Sequence, residues 1–388
     1  MKFLRLLLNN LLRNRRRTFL TISCIAVSLF LIATLLTVLS ELENPPQTPQ
    51  SALRLISRHR VSLANILPMS YREKMARIEG VDAVIGSMWF GGVYKDPKNF
   101  FAQFASDADQ FFHVYADISL PEEQKQAYIQ DRTGALAGEN LARRFGWKLG
   151  AKIHLKGALF DFDPELNIRG IYSGGGDDGS TLYFHWEYFN EAMRKLFGNG
   201  EGVNFTGFYV LRARSADLVP TIAEKVDALF KNTSSPTKTE SEKAFVLGFL
   251  AMMGNIRLLI TSISSVVIFT IVLVAANTMA MSIRERVREI GILKALGFRK
   301  LHILTLLLGE SLLLALGGAL LGSCAAKFLY SRVPMAEVTS GMIQRFYVTP
   351  ATMVICAAIG LFVGIVSAGV PAWQAARRRV VDALREVA

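Results

Sequence analysis

Four long runs with little or no charge set the architecture of this chain before any other feature is considered. Residues 18–40, 258–283 and 351–376 contain no Asp, Glu, Lys or Arg, and residues 303–330 contain one acid and one base. Each is longer than the roughly 20 residues a helix needs to cross about 30 Å of hydrocarbon at about 1.5 Å per residue. A composition that is 51% hydrophobic and still 20% charged fits this segregation and does not fit one soluble globule. The expected fold class is membrane α-helical, with four transmembrane helices, plus a mixed α/β extracytoplasmic domain.

The net charge of +12 raises the question of nucleic acid, and its distribution answers it. Residues 1–17 hold Lys2, Arg5, Arg13, Arg15, Arg16 and Arg17 with no acid. Residues 284–300 hold six bases against Glu285 and Glu289, and residues 374–388 hold four against Asp382 and Glu386. These three segments carry +6, +4 and +2, so the rest of the chain sums to zero. They are alternate flanks of a four-span protein, which is the positive-inside pattern. Both termini are expected on the cytoplasmic side. The basic clusters sit beside the spans and lack a series of interleaved aromatic stacking platforms, so nucleic-acid binding is not expected.

The boundaries follow. Residues 1–17 form a cytoplasmic amphipathic segment, with leucines on one side of 3–12, and 18–40 is the first span. The extracytoplasmic domain covers 41–240, a stalk helix 241–257 and the second span 258–283. A cytoplasmic loop runs over 284–302, the third span over 303–330, a short outer loop over 331–350, the fourth span over 351–373 and a tail over 374–388. A 23-residue apolar run without a small-x-small site after it reads as an uncleaved anchor, not a signal peptide. In 41–240 helices are expected at 68–79, in PEEQKQAYIQ, GENLARRFG and HWEYFNEAMRKLFG, and at 216–230. Strands are expected in VDAVIGSMWFGGVY, KIHLKG, LNIRGIYS and VNFTGFYVLRA. From Thr239 the helical pattern runs without proline into the second span; a continuous lever and two helices joined at Gly254 are both open.

Cys24, Cys324 and Cys356 fall in spans and read as small buried apolar residues, which leaves the outer domain without cysteine. The Gly-rich stretch 174–180 matches neither Walker A nor EF-hand spacing, and reads as a surface loop. The histidines show no metal-ligand spacing, so no metal site is expected, and no catalytic residues stand out.

The most informative stretch is Asn277 to Gly297, NTMAMSIRERVREIGILKALG. On one helix Arg284 and Arg288 would share a face, as would Glu285 and Glu289, and Glu285 would reach Arg288; Gly291 and Gly297 would interrupt it. Composition alone fits an ordinary positive-inside loop. The order of residues resembles the MacB/FtsX permease signature of type VII ABC transporters: Asn277, Met279, Ser282, Glu285-Arg286, Arg288-Glu289-Ile290-Gly291, Lys294-Ala295-Leu296-Gly297, then Glu310-Ser311. Pro371-Ala372, Ala375-Ala376-Arg377 and Ala383-Leu384-Arg385 continue it, although Val380 stands where the family commonly has Pro. Gly138 to Ala142 with Lys148-Leu149-Gly150 resembles the family's MacB-like periplasmic core domain.

The resemblance implies a coupling helix that docks on an ABC ATPase, through Arg284, Glu285, Arg286, Arg288, Glu289, Gly291, Lys294 and Gly297. No Walker A sequence occurs here, so no cofactor is expected on this chain; ATP and Mg would sit on a separate ATPase subunit, an arrangement closer to FtsX or LolC and LolE than to MacB. A homodimer or a heterodimer with a related permease is implied, with a periplasmic adaptor as a further partner, in a bacterial inner membrane. Gly318, Gly322, Gly360 and Gly364 are spaced for close helix packing. Glu310, an intramembrane acid near the inner surface, is placed to meet a basic group. Export or extraction of a substrate is the expected function; the alternative is an FtsX-like signalling subunit that regulates an extracytoplasmic hydrolase.

Overall fold

The computed structural model describes residues 14–44, 48–99, 101–175, 179–198, 203–252, 254–333 and 346–377. The segment expected to be amphipathic at 3–12, most of the loop 331–350, the tail beyond Arg377 with Val380, and the middle of the stretch 174–180 lie outside the described residues. One compact unit contains four long helices, and the chain between the first and second of them forms most of another.

The four helices are Arg15–Glu43, Ile256–Glu285, Lys300–Arg332 and Pro350–Arg377, each long and apolar enough to cross a bilayer. Pro350 opens the fourth, at a position where a missing N–H leaves nothing unpaired. Their shared core is aliphatic, with Ile25, Leu29 and Ile32 of the first helix against Ile271 of the second, Ala315 and Ala319 of the third and Val363 of the fourth. Cys356 is buried, whereas Cys24 and Cys324 are exposed. The expectation of three buried thiols is therefore corrected for two of them. On an apolar helix the outer face is apolar too, so composition does not tell the lipid side from the packed side.

The second unit is built on a mixed sheet. Its strands are β1 (Arg54–His59), β3 (Val81–Trp89), β4 (Ala102–Ser106), β5 (Ile118–Ser119), β6 (Gly134–Gly138), β7 (Lys152–His154), β8 (Glu165–Gly174), β9 (Thr181–His185), β11 (Phe208–Ala213) and β12 (Thr237–Ser241). β2 (Leu67–Pro68) and β10 (Phe205–Thr206) make a separate antiparallel pair. The sheet order is β12-β1-β11-β3-β4-β9-β6-β8-β5, with β7 on β8. Only β4 with β9 and β6 with β8 run parallel among the paired strands. Helices Tyr71–Ala76 and Val219–Phe230 close one core cluster, where Tyr71 stacks on Phe230 at 3.9 Å between centroids. Another cluster gathers Phe111, Tyr128, Tyr172 and Tyr183. A third holds Phe90, Trp147, Phe184 and Phe189. The helices expected in this domain are present, at Tyr71–Ala76, Glu122–Gln130, Glu139–Phe145, Trp186–Phe197 and Val219–Phe230.

A buried arginine ties the beginning and end of this domain together. Arg54, 1% exposed at the start of β1, donates to both oxygens of Asp117, at 2.5 and 3.1 Å, and to Glu242 at 2.7 Å. Thr48 donates its hydroxyl to the same Asp117 at 2.7 Å, and the guanidinium lies 4.9 Å from the Tyr115 ring centroid. Burial works to raise the Asp117 carboxyl, but the bonds from Arg54 and Thr48 hold it below its ordinary range.

The stalk helix expected over 241–257 is not one helix. Ser241 ends β12, a helix runs over Glu242–Met252, and the spanning helix starts afresh at Ile256. Gly254 takes φ +108°, a left-handed conformation that halts an α-helix and that glycine adopts without a Cβ penalty. The Asn255 side chain then accepts from the Leu258 N–H at 2.9 Å as a new N-cap.

Candidate functional site

The signature segment does not form the single helix its spacing suggests. The second spanning helix ends at Glu285, Arg286 adopts φ −115° and ψ 17°, and a short helix covers Val287–Ala295. The break falls at Arg286, so the expected shared faces of Arg284 with Arg288 and of Glu285 with Glu289 are not formed on one helix. Gly291, expected to interrupt, is buried inside the short helix. Gly297, at φ +93°, follows its end.

The reason for the break is electrostatic. Arg286 donates through one terminal nitrogen to both oxygens of Glu310, at 2.9 and 2.8 Å, and through Nε to Glu289 at 3.0 Å. Glu310 belongs to the third spanning helix and is 3% exposed, so ionised it requires a partner, and the chain turns to bring one. The expectation that Glu310 meets a base resolves to Arg286. Glu285 pairs with Arg17 of the first helix at 2.5 Å, not with Arg288, and the same guanidinium donates to Ser282 at 2.9 Å. On the far side Lys294 donates to the Ala375 carbonyl of the fourth helix at 3.2 Å. Burial, and secondarily the neighbouring Lys300, push the Lys294 ammonium below its ordinary value. Ile290 joins an apolar cluster with Ile283, Ile303, Leu307, Ala372 and Ala375.

The short helix is thus packed on the second, third and fourth spanning helices, and the end of the second just before it is tied to the first by Arg17 with Glu285, while part of its surface stays open. Arg284 and Arg288 are exposed. Ile292, Leu296 and Phe298 are 47, 72 and 43% exposed respectively, so an apolar strip lies bare in an otherwise charged segment.

The four paired glycines lie where helices approach most closely. A Cβ at Gly318 would meet Ile25 Cγ2 at 2.5 Å, and one at Gly322 would collide with the backbone of Ala26 and Phe30. A Cβ at Gly360 would meet Ala319 Cβ at 2.8 Å, and one at Gly364 the Leu312 Cα at 3.1 Å. The third helix therefore carries the small residues against the first, and the fourth carries them against the third. Among the described residues no three His, Cys, Asp or Glu side chains are grouped to hold a metal.

Sequence reasoning did not single out Arg17 or Arg54. Arg17 sits in a basic cluster whose members look alike to the positive-inside rule. Arg54 opens a strand that its own charge argues against.

Residues 18–229 match the family model for the MacB-like periplasmic core domain, and residues 261–380 match that for the FtsX-like permease C-terminal region. The chain belongs to the MacB/FtsX-type ABC transporter permeases. Among relatives of this MacB/FtsX-type permease, an uncharacterised ABC transporter permease of Methanocaldococcus jannaschii is 24% identical over 325 residues, 79% of this chain and 77% of that protein. The pyoverdine export ATP-binding/permease protein PvdT of Pseudomonas syringae pv. tomato is 26% identical over 61% of this chain, and the match spans 34% of PvdT. The periplasmic region of MacB from Actinobacillus actinomycetemcomitans aligns with 50% of this chain and 90% of its own, at 12% identity and a TM-score of 0.36. As a permease of this type the protein is a membrane component of an ABC transporter with an extracytoplasmic domain.

Proposed function

We propose that the chain is the membrane subunit of an ATP-driven export or extraction complex, with the ATPase on a separate polypeptide that docks on the helix Val287–Ala295. The observation that carries this reading is the fastening of that helix. Arg17 with Glu285, Arg286 with Glu310 and Lys294 with the Ala375 carbonyl join its surroundings to the first, third and fourth spans. A push on the helix is then shared among all four spans and not absorbed by one loop. The exposed Arg284, Arg288, Ile292, Leu296 and Phe298 supply a mixed apolar and basic face of the kind protein partners cover. In this reading ATP and Mg are held by the ATPase and not by these 388 residues, which contain no Walker A sequence.

In this reading both termini are cytoplasmic, and two permease chains face each other in the membrane. Work passes mechanically and not through a polar channel, since the first, second and fourth spans have no ionisable residue in their central portions. The test is co-purification of an ABC ATPase with the tagged chain. Arg288→Glu with Leu296→Asp should lose the ATPase, or uncouple its hydrolysis from transport. Full retention of both would remove the docking assignment.

A further inference from the structure

We infer that the cleft at the carboxyl ends of β4 and β9 is a binding site for a protonated amine with an apolar stem. β4 and β9 are parallel neighbours, with Ser106 opposite His185. Beyond them the chain turns into Phe111–Val114 on one side and Trp186–Phe197 on the other. Ligands of α/β sheets settle in such crevices beyond the carboxyl ends of strands. The cleft here measures about 600 Å³, within the range of small-molecule sites.

Two side chains more than nine-tenths buried line it, each with an acceptor atom that meets no donor among the described residues. Asp107, 7% exposed, uses Oδ2 to accept from the Gly86 N–H at 2.8 Å and to face Arg72 Nε at 3.5 Å; no protein donor reaches Oδ1. His185, 4% exposed, must donate from Nε2 to the Tyr128 carbonyl at 2.7 Å, because a carbonyl has no proton to give. Burial lowers the ring's proton affinity despite that bond, so Nδ1 remains a bare acceptor. Asp107 and His185 both line the cleft.

Both bases of the wall have partners in it or beside it. Arg132 is held by Glu191 at 2.8 Å, and Arg72 uses its Nε on the Val84 carbonyl at 3.1 Å. Glu73 and Asp109 add negative charge at the exposed rim. The lining holds the carboxylates Glu73, Asp107, Asp109 and Glu187 against the bases Arg72 and Arg132, an excess of negative charge that an ammonium with its three N–H donors would meet. Met69, Ile129 and Trp186 line the same cleft and give an alkyl stem apolar contact.

Calorimetry of the full-length protein in lipid nanodiscs tests this. The probes are cadaverine, Nα-acetyl-lysine amide, and Nα-acetyl-norleucine amide as the stem without the charge. Saturable binding of an amine probe, none of the norleucine probe, and at least about tenfold weaker binding by Asp107→Asn are expected. Tighter binding of cadaverine would assign a free amine, and tighter binding of the lysine amide a side chain presented by a peptide. Ala76→Trp, on an exposed rim position, fills the cleft without altering its charge and should also weaken binding about tenfold. Failure of both amines to bind up to about 10 mM, a regime weaker than ~3 kcal/mol, overturns the proposal. So does equal binding by wild type and the folded Ala76→Trp variant.

Discussion

Arg286 meets Glu310 as a two-point contact from a single guanidinium nitrogen, at 2.9 and 2.8 Å, on a carboxylate that is 3% exposed. Removing one partner strands the other charge. Glu310→Ala is expected to destabilise the helical unit by about 3 kcal/mol or more. Arg286→Met with Glu310→Leu together should recover much of that loss. Thermal unfolding of wild type, Arg286→Met, Glu310→Leu and the double variant in one detergent measures the cycle, and additive losses would show that the pair is not coupled.

The helix-packing glycines differ in what an added methyl would strike. Gly322→Ala places a Cβ against the backbone of Ala26 and Phe30, whereas Gly317 has nothing within 4 Å of its Cβ position. Gly322→Ala should cost about 1–3 kcal/mol through overpacking. Gly317→Ala should be neutral, or stabilising by up to about 1 kcal/mol from helix propensity. Unfolding midpoints in detergent distinguish the two, and equal effects would contradict the packing.

Three carboxylates give the outer domain opposing pH responses. Asp131 is worked upward by burial but held at about 2 by bonds from Arg169, Thr133 and Asn167, against an ordinary 3.8. Its contribution to stability is complete above about pH 4 and is lost as pH falls towards about 2; the depressed Asp117 acts in the same sense. Asp107 is raised by burial to about 6. Its native form holds a proton more tightly than the unfolded chain, so it is a liability above about pH 6 that is relieved between about 6 and 4. Wild type should therefore gain stability between pH 7.5 and 5 relative to Asp107→Asn. Urea unfolding followed by tryptophan fluorescence measures this, since Trp89, Trp147 and Trp186 lie in the domain. Parallel pH curves for the two proteins would refute it.

Sidedness is checked by cysteine labelling of intact cells. Lys148→Cys should react with a membrane-impermeant maleimide, and Lys300→Cys should react only after permeabilisation. Both positions are exposed. The reverse pattern would invert the topology.

The spans were legible because bilayer thickness imposes a length that few other constraints do, and the helix pattern of the domain because Tyr71–Ala76 or Trp186–Phe197 each bury one face. The strands β4, AQFAS, and β6, GALAG, were not. In β4 the polar Gln103 is buried while Phe104 is only partly so, and in β6 five small residues are all buried, so neither shows the apolar-in, polar-out alternation that marks a strand. The candidate site was half legible. The residue order marked 277–310, but helical spacing carried no information that Arg286 would leave the helix for Glu310. That turn is decided by a partner 24 residues away. The positive φ of Gly254 was foreshadowed by residue type alone.

The first and last strands of the outer domain lie side by side, with Leu55 opposite Ser241, and Arg54 bridges Glu242 to Asp117, which also accepts from the Thr48 hydroxyl. A domain whose two ends are neighbours is an insertion cassette. It can be exchanged between proteins as one segment, with its recognition surface, without rethreading the chain on either side. A lineage of such permeases is then free to change what it meets outside the membrane much faster than it changes the helices and the signature within.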